Sequence, residues 1–341
     1  MKLRVTHHTQ SAEAKESATS GNHEIKLNFA PNLGNGPFSA QPHAFLLRVA
    51  HSPFAAPYSL FFCYPSAMKN SLPRLFPAIL FLLAALLIAA PHASAQDWAK
   101  TILDKSPRHQ EWVKVKYGSR TVDAFVVYPE VSHKAPVVLL IHEIFGLSDW
   151  ARSQADDLAA MGYIVIAPDL LSGVGPNGGG TSAFPDQQSI IKAVSSLDPT
   201  TITADLNATA DYALKFPSAN GKLAVIGFCW GGGQSFRFAT NRKDLSAAFV
   251  FYGPPPPTAS LAAITAPVYG FYAGSDARIS STIPDAKTAM AAAGKKYDPV
   301  IYDGAGHGFM RAGEDPTNTN TANTAARTQA LTRLQTLLKG M

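Results

Sequence analysis

Two residue classes are scarce in this 341-residue chain. Cysteine occurs only twice, at Cys63 and Cys229, and Asp, Glu, Lys and Arg together make up 16% of the sequence. So few cysteines exclude a disulfide-built scaffold and a Cys-rich metal module. A membrane-spanning segment is also hard to find. The apolar run Leu75–Ala90 falls short of the roughly 20 residues that a helix needs to cross a bilayer. That run nevertheless has revealing neighbours. Counting from Met68, the chain offers Lys69 and Arg74, then the run, then Ala93-Ser94-Ala95. A charged start, an apolar middle and a small-residue cleavage site make residues 68–95 read as a secretory signal peptide. An uncleaved anchor is the competing reading, and the Ala-Ser-Ala site argues for removal. The mature protein is then expected to be periplasmic or secreted, with no stable membrane association.

An export signal cannot usefully sit behind 67 other residues. Positions 1–67 carry no sustained helical or strand periodicity. They read as an over-extended reading frame upstream of Met68, or as a disordered tail. The leader also distorts the charge. Seven of the 29 basic residues and three of the 24 acidic ones precede Gln96, so the formal +5 of the whole chain shrinks to +1 in the mature part. Nothing in so balanced a surface calls for a nucleic-acid partner. Cleavage also removes Cys63, which leaves Cys229 without an internal disulfide partner.

From Trp112 onward, short β-rich runs alternate with amphipathic helical stretches. "WVKVKYG" and "TVDAFVVYP" read as a hairpin, and "APVVLLIHE" as a strand buried on both faces. "SDWARSQADDLAAMG" reads as a helix capped by Ser148 and stopped at Gly162. Strand-like runs recur at "YIVIAPD", "KLAVIGF", "AAFVFYG", "APVYGFYAG" and "DPVIYDG". Helices are expected over 186–197, 201–216, from about Gly232, over 281–297 and over 324–340. The pattern predicts a single α/β domain over 96–341, with a mostly parallel sheet and helices on both faces. The glycine-rich stretch Leu170–Pro185 reads as its most flexible part. In such sheets, function gathers at loops after the carboxyl ends of strands.

Four of those loops carry chemistry. Gly227-Phe228-Cys229-Trp230-Gly231 follows an apolar strand and fits G-x-nucleophile-x-G, with a thiol where serine is commoner. The turn would lift Cys229 clear of the sheet at a helix N-terminus, an environment that favours a thiolate. Asp276 and His307 follow the next strands in the order nucleophile, acid, histidine. "LLIHEIFGLSD" is the fourth stretch: Glu143 ends an apolar strand, where a carboxylate needs a partner. His142-Glu143 could suggest metal binding, but no H-E-x-x-H follows, so no metal and no cofactor are called for. This loop position commonly supplies an oxyanion amide, which nominates the N–H of Ile144 beside that of Trp230.

Together "HEIFG", "GFCWGG", "GSDARI" and "GHGFMR" resemble the dienelactone hydrolase, or carboxymethylenebutenolidase, family over about residues 112–338. The resemblance implies an α/β-hydrolase fold with a Cys229–His307–Asp276 triad. It also implies that Glu143 contacts the resting thiol and helps ionise it. In that family two arginines grip the carboxylate of an unsaturated lactone. Arg311 matches one of them, and the other has no arginine counterpart between Arg152 and Arg237, where the only cations are lysines, Lys192 among them. Tyr252 matches an active-site tyrosine loosely. The expected activity is therefore hydrolysis of a small carboxylic ester or lactone, which could be anionic, by a monomer. A non-catalytic ligand binder on the same fold is the alternative. A thiol peroxidase or redox sensor would lack its resolving cysteine.

Overall fold

The computed structural model describes residues 97–341. The export signal expected at 68–95 and the stretch 1–67 lie outside the described residues. An eight-stranded sheet runs through the described part: β1 (Gln110–Tyr117), β2 (Arg120–Val127), β3 (Ala135–Ile141), β4 (Ile164–Pro168), β5 (Ala219–Phe228), β6 (Ala247–Phe251), β7 (Val268–Ala273) and β8 (Tyr297–Tyr302). Its spatial order is β1-β2-β4-β3-β5-β6-β7-β8. β1 and β2 form the expected antiparallel hairpin, and β2 also runs antiparallel to β4. From β4 across to β8 every pairing is parallel. The helices are α1 (Asp97–Lys105), α2 (Asp149–Ala160), α3 (Gln187–Ser195), α4 (Pro199–Ala213), α5 (Trp230–Asn241), α6 (Ala277–Ser280), α7 (Ile283–Ala292), α8 (Phe309–Ala312) and α9 (Thr321–Leu338). None of them is long and apolar enough to cross a membrane.

Why the central strands are apolar throughout is visible in their two faces. Val138, Leu140, Ala224, Ile226 and Phe228 point into one core, which α2 and α9 cover with Ala155, Leu158, Ala330 and Leu334. Val137, Leu139, Ile141, Leu223 and Val225 point into the other, covered from α4, α5 and α7 by Leu206, Ala210, Phe236 and Met290. Successive side chains of a strand alternate faces, so burial on both sides leaves no place for a polar residue. Truncating one of these side chains to alanine would cost about 2–5 kcal/mol.

Several boundaries depart from the sequence expectations. Ser148 does cap α2, accepting the Ala151 N–H at 3.3 Å. By contrast, α5 begins at Trp230 rather than near Gly232, because Cys229 itself is its N-cap residue. α1 was not expected, although Trp98, Ala99 and Leu103 recur at helical spacing and pack on the core with α2. The segment read as flexible, Leu170–Pro185, is pinned instead. The buried Asp169 carboxylate accepts from the Thr181 N–H and Oγ1–H, both at 2.7 Å, and from the Leu171 N–H at 3.1 Å. Thr181 Oγ1 in turn accepts the Leu147 N–H at 3.1 Å, tying this segment to the loop after β3.

Candidate active site

At the carboxyl end of β5 the chain reverses into α5 through Cys229, whose φ of 55° and ψ of −117° are unusual for a residue with a side chain. Such a backbone stores about 1–3 kcal/mol of strain. The neighbouring glycines make the bend possible. A Cβ on Gly227 would lie 2.0 Å from the Gly231 carbonyl oxygen, and one on Gly231 would lie 2.3 Å from that of His142. The turn is fastened by the Cys229 N–H donating to the Phe251 carbonyl at 3.0 Å. It leaves the thiol half-buried rather than sealed.

The four loops meet at this sulfur. His307 Nε2 lies 3.0 Å from Cys229 Sγ, and Nδ1 lies 2.5 Å from Asp276 Oδ2. A carboxylate accepts, so Nδ1 carries the proton and Nε2 is free to accept one from the thiol. Asp276 is largely buried at the start of α6. The histidine loop is braced from two sides: Ser275 N–H donates to the Ala305 carbonyl at 2.9 Å, and Gly306 N–H to Asn323 Oδ1 at 2.8 Å. The backbone N–H groups of Trp230 and Ile144 are both turned toward the sulfur.

Burial pushes the Cys229 thiol up to about 11, and the nearby charge of Glu143 pushes the same way. The two amides and the charge of Arg278 oppose them without winning. The sequence expectation of a depressed thiol value is therefore overturned. It weighed the helix N-terminus and left out desolvation, which is the largest influence here. The resting sulfur is a thiol.

Glu143 is only 3% exposed, and its Oε2 accepts from Arg311 Nε at 3.1 Å. Burial nonetheless holds this carboxyl above its ordinary range, with Arg311 pulling it down. The Arg311 guanidinium also lies over the Phe145 ring, 5.1 Å from its centroid. It comes from α8, which Gly308 introduces with a left-handed φ of 76°. Tyr252 is fully buried, edge-on to the His307 ring at 5.2 Å. Its hydroxyl feels the charge of Glu143 but forms no well-aligned hydrogen bond with it, and burial pushes its value well up.

All eight residues nominated from sequence thus converge: Cys229, Asp276, His307, Glu143, Ile144, Trp230, Tyr252 and Arg311. Lys192 instead stands exposed on α3. Sequence reading passed over Arg278, although it stands two residues after Asp276 in the quoted "GSDARI". None of the eight lines the cavity of about 690 Å³ bounded by Trp112, Phe145, Leu147, Thr181, Phe184 and Ile190 among others; Phe145, which the Arg311 guanidinium covers, links the two. Among the described residues no three His, Cys, Asp or Glu side chains gather as a metal site.

The family model described as "Dienelactone hydrolase family" matches residues 122–341. A protein of Methylorubrum extorquens named "Putative carboxymethylenebutenolidase" is 31% identical over 209 residues, covering 58% of this chain and 71% of its own. A solved structure from Klebsiella pneumoniae, described as a "Putative Dienelactone Hydrolase", superposes with a TM-score of 0.57 at 25% identity, over 66% of this chain and 97% of that one. The "Dienelactone Hydrolase-like Promiscuous Phospotriesterase P91" from metagenomic libraries gives a TM-score of 0.58 over 68% and 98% of the two chains, and its 22% identity speaks for the fold alone.

Proposed function

Since this chain belongs to the dienelactone hydrolase family and is a hydrolase of ester or lactone bonds on the α/β-hydrolase fold, we propose that Cys229 is its nucleophile, served by His307 and Asp276. The observation that carries this reading is the unbroken line from Asp276 Oδ2 through His307 to Cys229 Sγ, at 2.5 and 3.0 Å. The thiol and the base are within proton-transfer reach, and the acid fixes the tautomer that the base needs.

In this mechanism the thiol surrenders its proton to His307 Nε2 as sulfur adds to the acyl carbon. The carbonyl oxygen becomes an oxyanion and takes up the N–H groups of Trp230 and Ile144, which face the sulfur in the resting state. The imidazolium that forms is stabilised by Asp276. It then returns its proton to the departing alkoxide, which leaves a thioester on Cys229. Water, deprotonated by His307, releases the acid and restores the thiol. A resting thiol held at about 11 keeps the sulfur unreactive toward stray electrophiles until His307 acts. Glu143 contributes to that restraint, so any movement of its carboxylate away from the sulfur, toward Arg311, would ease ionisation. Arg311 retains donors beyond its bond to Glu143 and would receive a substrate carboxylate. The cavity that Phe145 also lines would take the remaining bulk of the ester or lactone.

Cys229→Ala should abolish turnover of p-nitrophenyl acetate while leaving the melting temperature within a few degrees. Unchanged turnover would refute the reading. Export is proposed on the features of residues 68–95, and an intact mass for the native protein that begins at or just after Gln96 would bear it out. A product starting at Met1 would overturn it.

A further inference from the structure

His142 takes no part in the steps above, yet it is completely buried beside them. Its Nδ1 lies 2.7 Å from the Glu143 carbonyl oxygen. A carbonyl can only accept, so Nδ1 bears the ring proton. Nε2 is then a bare acceptor with no partner among the described residues. Leaving such an atom buried and unpaired costs about 1–3 kcal/mol. If the position only had to be filled, leucine would fill it without that loss.

The carbonyl that His142 holds belongs to the same peptide unit as the Ile144 N–H. A trans peptide is planar, with its C=O and N–H pointing in opposite directions. Fixing the oxygen therefore aims the hydrogen, and this hydrogen faces Cys229 Sγ. The Gly146 N–H donates to the same oxygen at 3.2 Å and completes the grip. On its other side the imidazole lies nearly parallel to the Trp230 indole, with centroids 5.6 Å apart and planes 14° apart. Trp230 carries the second amide that faces the sulfur. The His142 carbonyl also packs against the Gly231 backbone, at the first turn of α5. His142 thus touches the peptide that carries the first amide and the indole of the residue that carries the second.

We infer that His142 is a positioning residue, whose Nδ1–H and ring face hold the amides of Ile144 and Trp230 at the separation an oxyanion requires. The inference rests on the reading of Cys229 as the nucleophile. Burial lowers the affinity of the ring for a second proton, and Nδ1 is the donor to the carbonyl.

His142→Asn and His142→Leu have nearly the same shape, but only asparagine can present a donor where Nδ1 now stands. With p-nitrophenyl acetate, the leucine variant should lose about 10- to 100-fold in kcat, less than the roughly 10²- to 10³-fold of a deleted oxyanion donor because the amide is loosened and not removed, with KM changed by less than about threefold. The asparagine variant should recover most of that kcat. A second readout needs no turnover: at fixed pH, iodoacetamide should alkylate Cys229 about 2- to 10-fold more slowly in the leucine variant, whose Ile144 amide no longer steadies the thiolate, and at the wild-type rate in the asparagine variant. Should the leucine variant fail to fold, His142→Phe, which keeps the ring and drops the donor, takes its place. Asparagine and donor-less variants that behave alike in both assays would overturn the inference. If the wild type shows no Cys229-dependent turnover, the function reading fails, and the alkylation comparison still decides the role of His142.

Discussion

Glu143→Gln should make Cys229 easier to ionise, by an amount the site itself bounds. In the wild type the thiol stands near 11, against 9.0 for an unperturbed one. At pH 7.5 that leaves about three molecules in ten thousand as thiolate. Two influences raise it, and burial is the larger. Neutralising Glu143 removes only the second, and a like charge at such range shifts a neighbour by about one pH unit. Alkylation by iodoacetamide, read by intact mass over pH 6–10, follows the thiolate fraction. The variant should therefore react about tenfold faster at pH 7.5, with its rate profile still centred above an ordinary thiol because burial persists. Turnover need not follow, since Glu143 also anchors Arg311. A wild-type profile centred below pH 8 would refute the ordering of influences, and so would an identical profile in the variant.

Three further outcomes follow from single contacts. Asp276→Asn keeps the shape but offers His307 a donor, so kcat for small esters should drop by about 10⁴ with little change in melting temperature; a loss under tenfold would detach Asp276 from the proton path. Arg311→Met leaves a buried carboxylate unpaired and pushes Glu143 further up than burial already does. A carboxyl raised in the folded state loses stability as pH climbs from its unfolded value through its folded one. Variant and wild type should thus melt together near pH 4 and diverge by about 2 kcal/mol at pH 8, less than the roughly 3–5 kcal/mol of a fully buried pair because Arg311 is partly exposed; a gap widening toward acid would contradict this. Gly146 has a φ of 70°, and a Cβ there would lie 2.5 Å from Thr181 Oγ1, so Gly146→Ala should cost about 2–4 kcal/mol in a denaturant melt. Gly118→Ala, with a similar φ but open space around it, should cost about 1 kcal/mol.

The chain displays some of this plainly and hides the rest for physical reasons. Strand "KLAVIGF" running into Gly227-Phe228-Cys229-Trp230-Gly231 is legible because steric demand at a tight bend writes glycine at fixed offsets. Asp276 and His307 are legible because strand ends aim their following loops at one place. The pinning of Leu170–Pro185 is not, since Asp169 and Thr181 look like ordinary loop residues until they meet. Nor was the direction of the Cys229 shift: a helix N-terminus can be read from sequence, whereas desolvation depends on what the fold stacks around the sulfur. His142 stood within the quoted "LLIHEIFG" and was considered only as a metal ligand, because which nitrogen faces which carbonyl is a property of the folded loop.

The most direct measurement is to mix the protein with p-nitrophenyl acetate, quench within the first turnover, and locate the acetyl group by peptide mass spectrometry. The account predicts a burst of nitrophenolate equal to the enzyme present and an acetyl group on the peptide carrying Cys229. In His307→Ala that adduct should form slowly and persist once formed. Steady turnover with no adduct on Cys229 under any quench, or an adduct on another side chain that turns over at the catalytic rate, would contradict it.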